Sequence, residues 1–394
     1  MLGLDWRAWL GLAPRNLDAF AHLAQARLRQ IRGERSTFSK DKGLLVVEGS
    51  SHRLIALDRA FEAYLEAPRR DRKKLLDRFL APPPPFPSRD EALPNLLPAV
   101  RNRYCFANEL RKAAQNWNAE IKVPPMRAIA EHVGLVLVHD EPSTVSLIGQ
   151  EHLSTWSLEF EPTLERAIQN LRALSDAPWE ALAPGLFLSP WSDFHDAARI
   201  ALPDLFHRLP VRGAPVVTVP NRQTVLVTGD RDPRGLGALL EATRAMLAQD
   251  RPISGIPLRL GEDGWHSWSP DREATNDEGW SELRAKEVVT AYTLLKEVKA
   301  GGPEVPPVLA LTHDARRWTG CFWPEGQSLL PSVDFMLFRG PAGELRGVQQ
   351  SRLRSELPHL FQRSSDWPPL WQAPHPPSRS ELEGFETTSL QEGA

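Results

Sequence analysis

The chain has 394 residues, 47 Lys+Arg against 50 Asp+Glu for a formal charge of −3, and is 41% hydrophobic and 25% charged. This balance is ordinary for a folded protein and excludes a collagen-like, coiled-coil or wholly disordered chain. Near-neutral charge argues against coating of nucleic acid over the whole surface. Two cysteines, Cys105 and Cys321, exclude a disulfide scaffold and a four-thiolate zinc site, and read as reduced thiols of a cytoplasmic protein.

The N-terminal stretch carries Asp5 among apolar residues and no basic leader, a poor match to a signal peptide. Its Trp6, Trp9 and Leu10 could touch a membrane surface, but the simpler reading is packing on the domain that follows. No window reaches the roughly 18 apolar residues of a membrane span. Asn16 is placed to cap a helix whose Leu17, Phe20, Ala24, Leu28 and Ile31 form one stripe, and Gly33 ends it. Leu44–Val47 and Leu54–Leu57, separated by Glu48–His52, predict a hairpin. Two helices come next, one with Phe61, Tyr64 and Leu65 and one with Leu75, Leu76, Phe79 and Leu80. Pro82–Pro85, with Pro87, cannot be helical and read as a stiff linker.

Beyond it Leu96–Val100 predicts an edge strand because of Pro98, and Val133–Val138 and Val145–Ile148 predict strands turning at Glu141-Pro142-Ser143. Helical spacing over Thr163–Leu174 precedes a strand at Leu186–Leu188 and a helix bearing Ala197, Ile200 and Leu205. Strands at Val216–Val219 and Thr224–Thr228 flank a turn, then come a helix through Leu236–Leu247 and a strand at Ile256–Leu260. After a polar stretch near 269–279, a helix with Leu283, Val288, Tyr292 and Leu295 is broken by Gly301-Gly302-Pro303. Strands are predicted last at Val308–Leu311, Thr319–Trp323 and Val333–Phe338. The expected fold class is α+β: an α–hairpin–α unit over 1–81, a linker over 82–94, a central α/β unit over 95–268, an α+β extension over 281–361 with an aromatic-rich β segment, and a weakly ordered tail over 362–394 that Trp367 and Trp371 could pin.

Leu96–Arg101 (LLPAVR), Asn170–Leu174 (NLRAL) and Val219–Val227 (VPNRQTVLV), taken in this order, resemble the YtpQ-like proteins, a family defined as a domain of unknown function. The resemblance spans roughly residues 15–262 and stops short of the segment after 281. It implies membership of that family, and no catalytic residue comes with it.

Four groups of residues carry possible chemistry. The loop Thr228–Gly237 joins a strand to a helix, where backbone N–H groups can hold an anion with help from Arg231, Arg234 and Gly235. It is neither a P-loop nor GxGxxG, and Asp230 and Asp232 would repel phosphate, so the plainer reading is a capped turn. His132, His139 and His152 match no metal-ligand spacing, and neither metal nor cofactor is expected. Ser192, His195 and Asp196 lack a nucleophile elbow and fit better as helix-start residues. Cys321 has only His313 close in sequence and reads as a buried thiol.

Two surfaces are candidates for a partner. Arg69, Arg70, Lys73 and Lys74 form the densest basic run, although a solvated helix face is the simpler account and no nucleic-acid motif accompanies it. Trp318 and Trp323 belong to an aromatic strand, one face of which could meet a partner. Asp334, amid apolar residues, would need a hydrogen-bond partner if buried. Since no catalytic constellation emerges, the expected function is a non-catalytic protein-binding or scaffold module. The alternative is an unrecognised hydrolase or anion-binding enzyme at the 228–237 loop, with Asp230, Asp232, Arg234 and His139.

Overall fold

The computed structural model describes residues 14–40, 43–47, 53–81, 87–117, 122–141, 144–249, 251–270, 277–298, 305–326, 328–339, 345–366 and 368–392. The expectations for Trp6, Trp9 and Leu10, the turns at 48–52 and 142–143, Pro82–Pro85, Gly301–Pro303 and Trp367 lie outside these residues, as does most of the 269–279 stretch. The chain is of mixed α+β class. It divides into two units, Met1–Phe86 and Pro87–Ala394. No helix among the described residues is long and apolar enough to cross a membrane.

The first unit has the expected helices and strand pair, with one strand, at Ser36–Ser39, that was not expected. Helix α1 (Leu17–Arg32) begins with Asn16 Oδ1 accepting from the Ala19 N–H at 2.9 Å, and ends at Gly33, whose φ of 66° is the left-handed geometry glycine adopts without strain. Strands β1 (Ser36–Ser39), β2 (Leu44–Val47) and β3 (Arg53–Ala56) form an antiparallel sheet. Helices α2 (Leu57–Glu66) and α3 (Arg72–Leu80) complete a core holding Phe20, Leu28, Leu45, Leu57 and Leu80. A two-pronged contact from Arg27 to Asp77, at 2.6 and 2.7 Å, ties α1 to α3 and holds the Asp77 carboxyl below its ordinary range.

Over 87–94, the described part of the linker expected over 82–94, the second unit opens with a short helix α4 (Arg89–Ala92). Ser88 and Glu91 form a capping box there, and the Trp156 indole donates to Pro87 O at 3.0 Å. Strand β4 (Leu96–Asn102) is an edge strand, as its proline requires, and pairs with β6 (Val133–Glu141). Strands β5 (Arg127–Ala128) and β7 (Thr144–Leu147) also pair with β6. Between β4 and β5 lies a helix that the sequence did not announce, α5 (Phe106–Trp117). Helices α6 (Gln150–Thr155) and α7 (Phe160–Ala173) come after β7.

A second antiparallel sheet has the order β13-β12-β10-β11-β9-β8. Its strands are β8 (Glu180–Ala183), β9 (Leu186–Leu188), β10 (Pro215–Asn221), β11 (Thr224–Gly229), β12 (Pro252–Gly261) and β13 (Gly264–Ser267). Where one helix was expected near Ala197, a 3-10 turn (Asp196–Ala201) and the four-residue α8 (Asp204–His207) stand instead, broken at Pro203. One core joins both sheets to α7 through Leu97, Leu135, Val217, Leu258, Leu164 and Ile168. Helix α9 (Pro233–Leu247) covers the other face of the second sheet with Leu236, Leu239 and Leu240.

Helix α10 (Asp277–Val298) is the spine of this unit. It reaches α5 and β12, and it also packs on β15. Val288, Tyr292 and Leu295 enter a third core, under strands β14 (Leu309–His313), β15 (Arg316–Phe322), β16 (Ser328–Pro331), β17 (Phe335–Arg339) and β18 (Leu345–Gln349). This shared helix is why the expected boundary between a central unit and an extension over 281–361 does not divide the molecule.

The tail reading is overturned. Residues 362–392 supply β19 (Gln362–Asp366), β20 (Pro369–Ala373), β21 (Thr388–Ser389) and β22 (Gln391–Glu392). Strand β20 pairs with β16 and with β19, and β21 and β22 close the two edges of the six-stranded sheet β21-β18-β17-β15-β14-β22. The isolated apolar residues Leu370, Ala373, Phe385 and Leu390, each at most 9% exposed, anchor a segment whose composition is otherwise that of a loose end.

Candidate ligand pocket

The residues singled out in the sequence do not converge. Asp232 caps α9 by accepting from the Gly235 N–H at 3.0 Å, so that N–H is already committed. Asp230 accepts from Ala214 N and pairs with Arg259 at 2.7 Å. Thr228 Oγ1 donates to Gly185 O, while Arg231 and Arg234 are exposed. The loop thus spends its polar groups on its own helix cap and on the neighbouring segments at Gly185, Ala214 and Arg259.

The histidines serve separate places. His132 is buried edge-on to the Tyr104 ring, and burial pushes it down to about 4, so it is neutral. His152 Nδ1 accepts the Gly149 N–H at the start of α6. His139 is buried within 3.8 Å of Glu141. His195 meets Asp140 at 3.2 Å, whereas Asp196 accepts the N–H groups of Ser192 and Asp193, so these residues form no triad. Arg199, fully buried, grips Asp193 with two nitrogens and lies 4.1 Å over the Trp191 ring. This clamp holds a loop in which Ser192 and Phe194 both have positive φ. Among the described residues no group of three His, Cys, Asp or Glu side chains is placed to hold a metal.

The aromatic strand is two-sided core. Thr319, Cys321 and Trp323 are all buried, and Trp323 packs on Phe361, so the expectation that Trp323 presents a partner surface is corrected. Trp318 is partly buried, under Arg316 and against Phe335. Burial drives the Cys321 thiol well above its usual range. Asp334 has the partners it needs in Arg284, the Thr319 N–H and the Thr319 hydroxyl. Arg69, Arg70, Lys73 and Lys74 stand exposed at the start of α3.

The pocket lies elsewhere, where the end of β4, α5, the end of α9, the start of β12 and α10 meet around a cavity of about 480 Å³. That size suits a small ligand. Phe106, Leu247, Ile253 and Leu283 give it apolar walls. Gly255 permits the tight approach of these elements: a Cβ there would stand 2.7 Å from Leu247 and 3.3 Å from Leu283.

Of the ionisable groups that line it, Arg101 and Glu287 are the two most withdrawn from water. Arg101, next to the last residue of β4, lines the cavity and is only 9% exposed. Its Nη1 donates to Val100 O at 2.8 Å, its Nε has no partner, and among the described residues it makes no salt bridge. Burial, helped by the like charge of Arg222, presses its ionisation down to about 9, so the side chain is still a cation at neutral pH. Arg222 also lines the cavity. Glu109 of α5, also on the cavity wall, supports the charge on Arg101, while desolvation raises its own carboxyl against the pull of Arg222 and Arg101.

Glu287 of α10 is held by neutral donors alone. Asn102 Nδ2 reaches Oε1 at 2.5 Å, and Oε2 accepts from Ser254 Oγ at 2.9 Å and from the Gly255 N–H at 3.2 Å. Asn102 cannot turn round, because its Oδ1 accepts from Tyr104 N and Cys105 N at the head of α5. Desolvation outweighs the three donors and raises the Glu287 carboxyl to about 7. Cys105, pushed up to about 12 by burial, is no nucleophile.

Compared with family models, curated proteins and solved structures, the chain matches none of them.

Sequence reasoning missed this site because its groups lie on five elements, with Asn102 and Glu287 separated by 185 positions. One signal was present. In Leu96–Arg101 the arginine extends a run of apolar residues into the buried strand, where an unpaired cation is costly unless something binds it.

Proposed function

We propose that the chain is a non-catalytic binding module whose ligand is a small organic anion with an apolar body, seated in the cavity at Arg101. One observation carries this reading: a guanidinium that is nine-tenths buried, has an unsatisfied Nε–H and no ion pair among the described residues, and is pressed by a second arginine at the wall of a ligand-sized cavity. A buried cation without a partner is costly, and an incoming carboxylate or phosphate would offset that cost. A cytoplasmic location and the YtpQ-like relationship belong to the same proposal, the first supported by two buried free thiols and the second by the ordered motifs LLPAVR, NLRAL and VPNRQTVLV.

The test is a thermal-shift titration with 3-phenylpropionate, using phenethylamine as the control of opposite charge. The acid should raise the melting temperature of the wild-type chain and lose that effect in Arg101→Gln. An equal shift from the amine, or one unchanged in R101Q, would contradict the reading.

Exposure of Arg69, Arg70, Lys73 and Lys74 favours a second reading, capture of an acidic protein. Residues 1–86 hold 16 Lys+Arg against 10 Asp+Glu, while residues 87–394 hold 31 against 40. Arg70→Glu together with Lys74→Glu should then remove a protein captured from native extract. Unaltered capture would leave those residues a solvated face.

A further inference from the structure

The pocket contains a second unmatched charge, and it has the opposite sign. Among the described residues Arg101 has no carboxylate in ion-pair contact, Glu287 has no cation, and no ion pair joins the two. Asn102, the residue after Arg101, donates to Glu287 Oε1. A carboxylate offers about four acceptor directions, two on each oxygen. Ser254 and Gly255 use both of those on Oε2, whereas Asn102 uses only one on Oε1. Among the described residues, one acceptor position on a desolvated carboxylate is therefore unfilled.

We infer that the pocket takes a zwitterion, an apolar amino acid or short peptide, with its carboxylate on Arg101 and its ammonium on Oε1 of Glu287. The inference rests on the anion reading under Proposed function and adds to it the cationic end of the ligand. The walls of Phe106, Leu247, Ile253 and Leu283 would receive an aromatic or aliphatic side chain. A simple acid would leave Glu287 desolvated and uncompensated. A simple amine would leave Arg101 so, and would meet Arg222 and Lys286 besides. Only a ligand with both charges answers both groups, and each arm fits the strength of a charge-assisted hydrogen bond.

Two pairs of probes differ only in the ammonium group: L-phenylalanine against 3-phenylpropionate, and glycyl-L-phenylalanine against N-acetyl-L-phenylalanine. Calorimetric titration of the full chain at pH 8 should show at least one amine-bearing member binding about tenfold or more tighter than its partner, the ratio expected of one charged hydrogen bond. In Glu287→Gln that preference should vanish while the acids still bind. In Arg101→Gln all four probes should weaken.

The comparison within each pair uses the wild-type chain, so it stands even if a variant misfolds. Equal affinities within both pairs, with binding still lost in R101Q, would overturn the zwitterion and leave the anion reading intact. Failure of all four probes to bind would overturn both.

Discussion

Arg101 makes a prediction of its own. A side chain kept for a ligand weakens the empty protein when burial leaves its charge unmatched. Arg101→Met should therefore raise the unliganded stability by about 1 kcal/mol, read from the urea midpoint, while abolishing the response to 3-phenylpropionate. A loss of stability in R101M would mean that Arg101 is a structural residue.

Glu287 predicts a pH dependence. Its carboxyl ionises near 7 in the fold and at its ordinary value of 4.5 when unfolded. Between these values the folded chain holds a proton that the unfolded chain has released, so folding stability falls as pH rises from about 4.5 to 7 and is level above. Tyr104 and Cys105, the titratable groups that sense Glu287, stay neutral across this window. Glu287 should contribute on the order of 2 kcal/mol to the difference between unfolding at pH 5 and pH 8. It is opposed by His132, whose depressed ionisation makes stability rise with pH up to its unfolded value. The Glu287 component is therefore read as the difference between the wild type and Glu287→Gln at the two pH values.

At the scale of elements, legibility tracked periodicity and composition. Helix α1 was readable from Asn16 to Gly33 because cap, stripe and stop all agree, and Asp334 announced its need for partners by standing among apolar residues. Helix α5 was not seen, because its start is fixed by Asn102 from outside the helix and its run holds few large apolar side chains. Strands β19 to β22 are two to five residues long and mostly polar, so their place comes from pairing with distant strands, which no local pattern records. The correction at the tail is itself testable. Leu370, 1% exposed on β20, should cost about 2–5 kcal/mol on replacement by Ala, measured by denaturant unfolding. A loss near zero would restore the weakly ordered tail.

At the scale of the whole molecule, the pocket draws only on residues between 101 and 290, all within the second unit. A chain beginning at Pro87 should fold and should bind the acid probes as the full chain does, measured by circular dichroism and calorimetry. The basic first unit should be dispensable for this binding and necessary only for the capture of an acidic partner. The sequence could show that two units exist, through its proline run, yet it could not show that α10 fuses the central sheets with the C-terminal ones. A helix with apolar residues on several sides reads in sequence simply as a helix, and only packing tells which neighbours it serves.

The claim on which the rest depends is that the Arg101 guanidinium receives an anion. Its Nε–H is observable directly in a nitrogen–proton correlation spectrum of the full chain, assigned by its loss in Arg101→Lys. Titration with 3-phenylpropionate should shift that signal downfield to saturation, as a new charge-assisted hydrogen bond forms on a donor that had none. A signal that stays fixed while the acid binds, or while it fails to bind, would contradict the account.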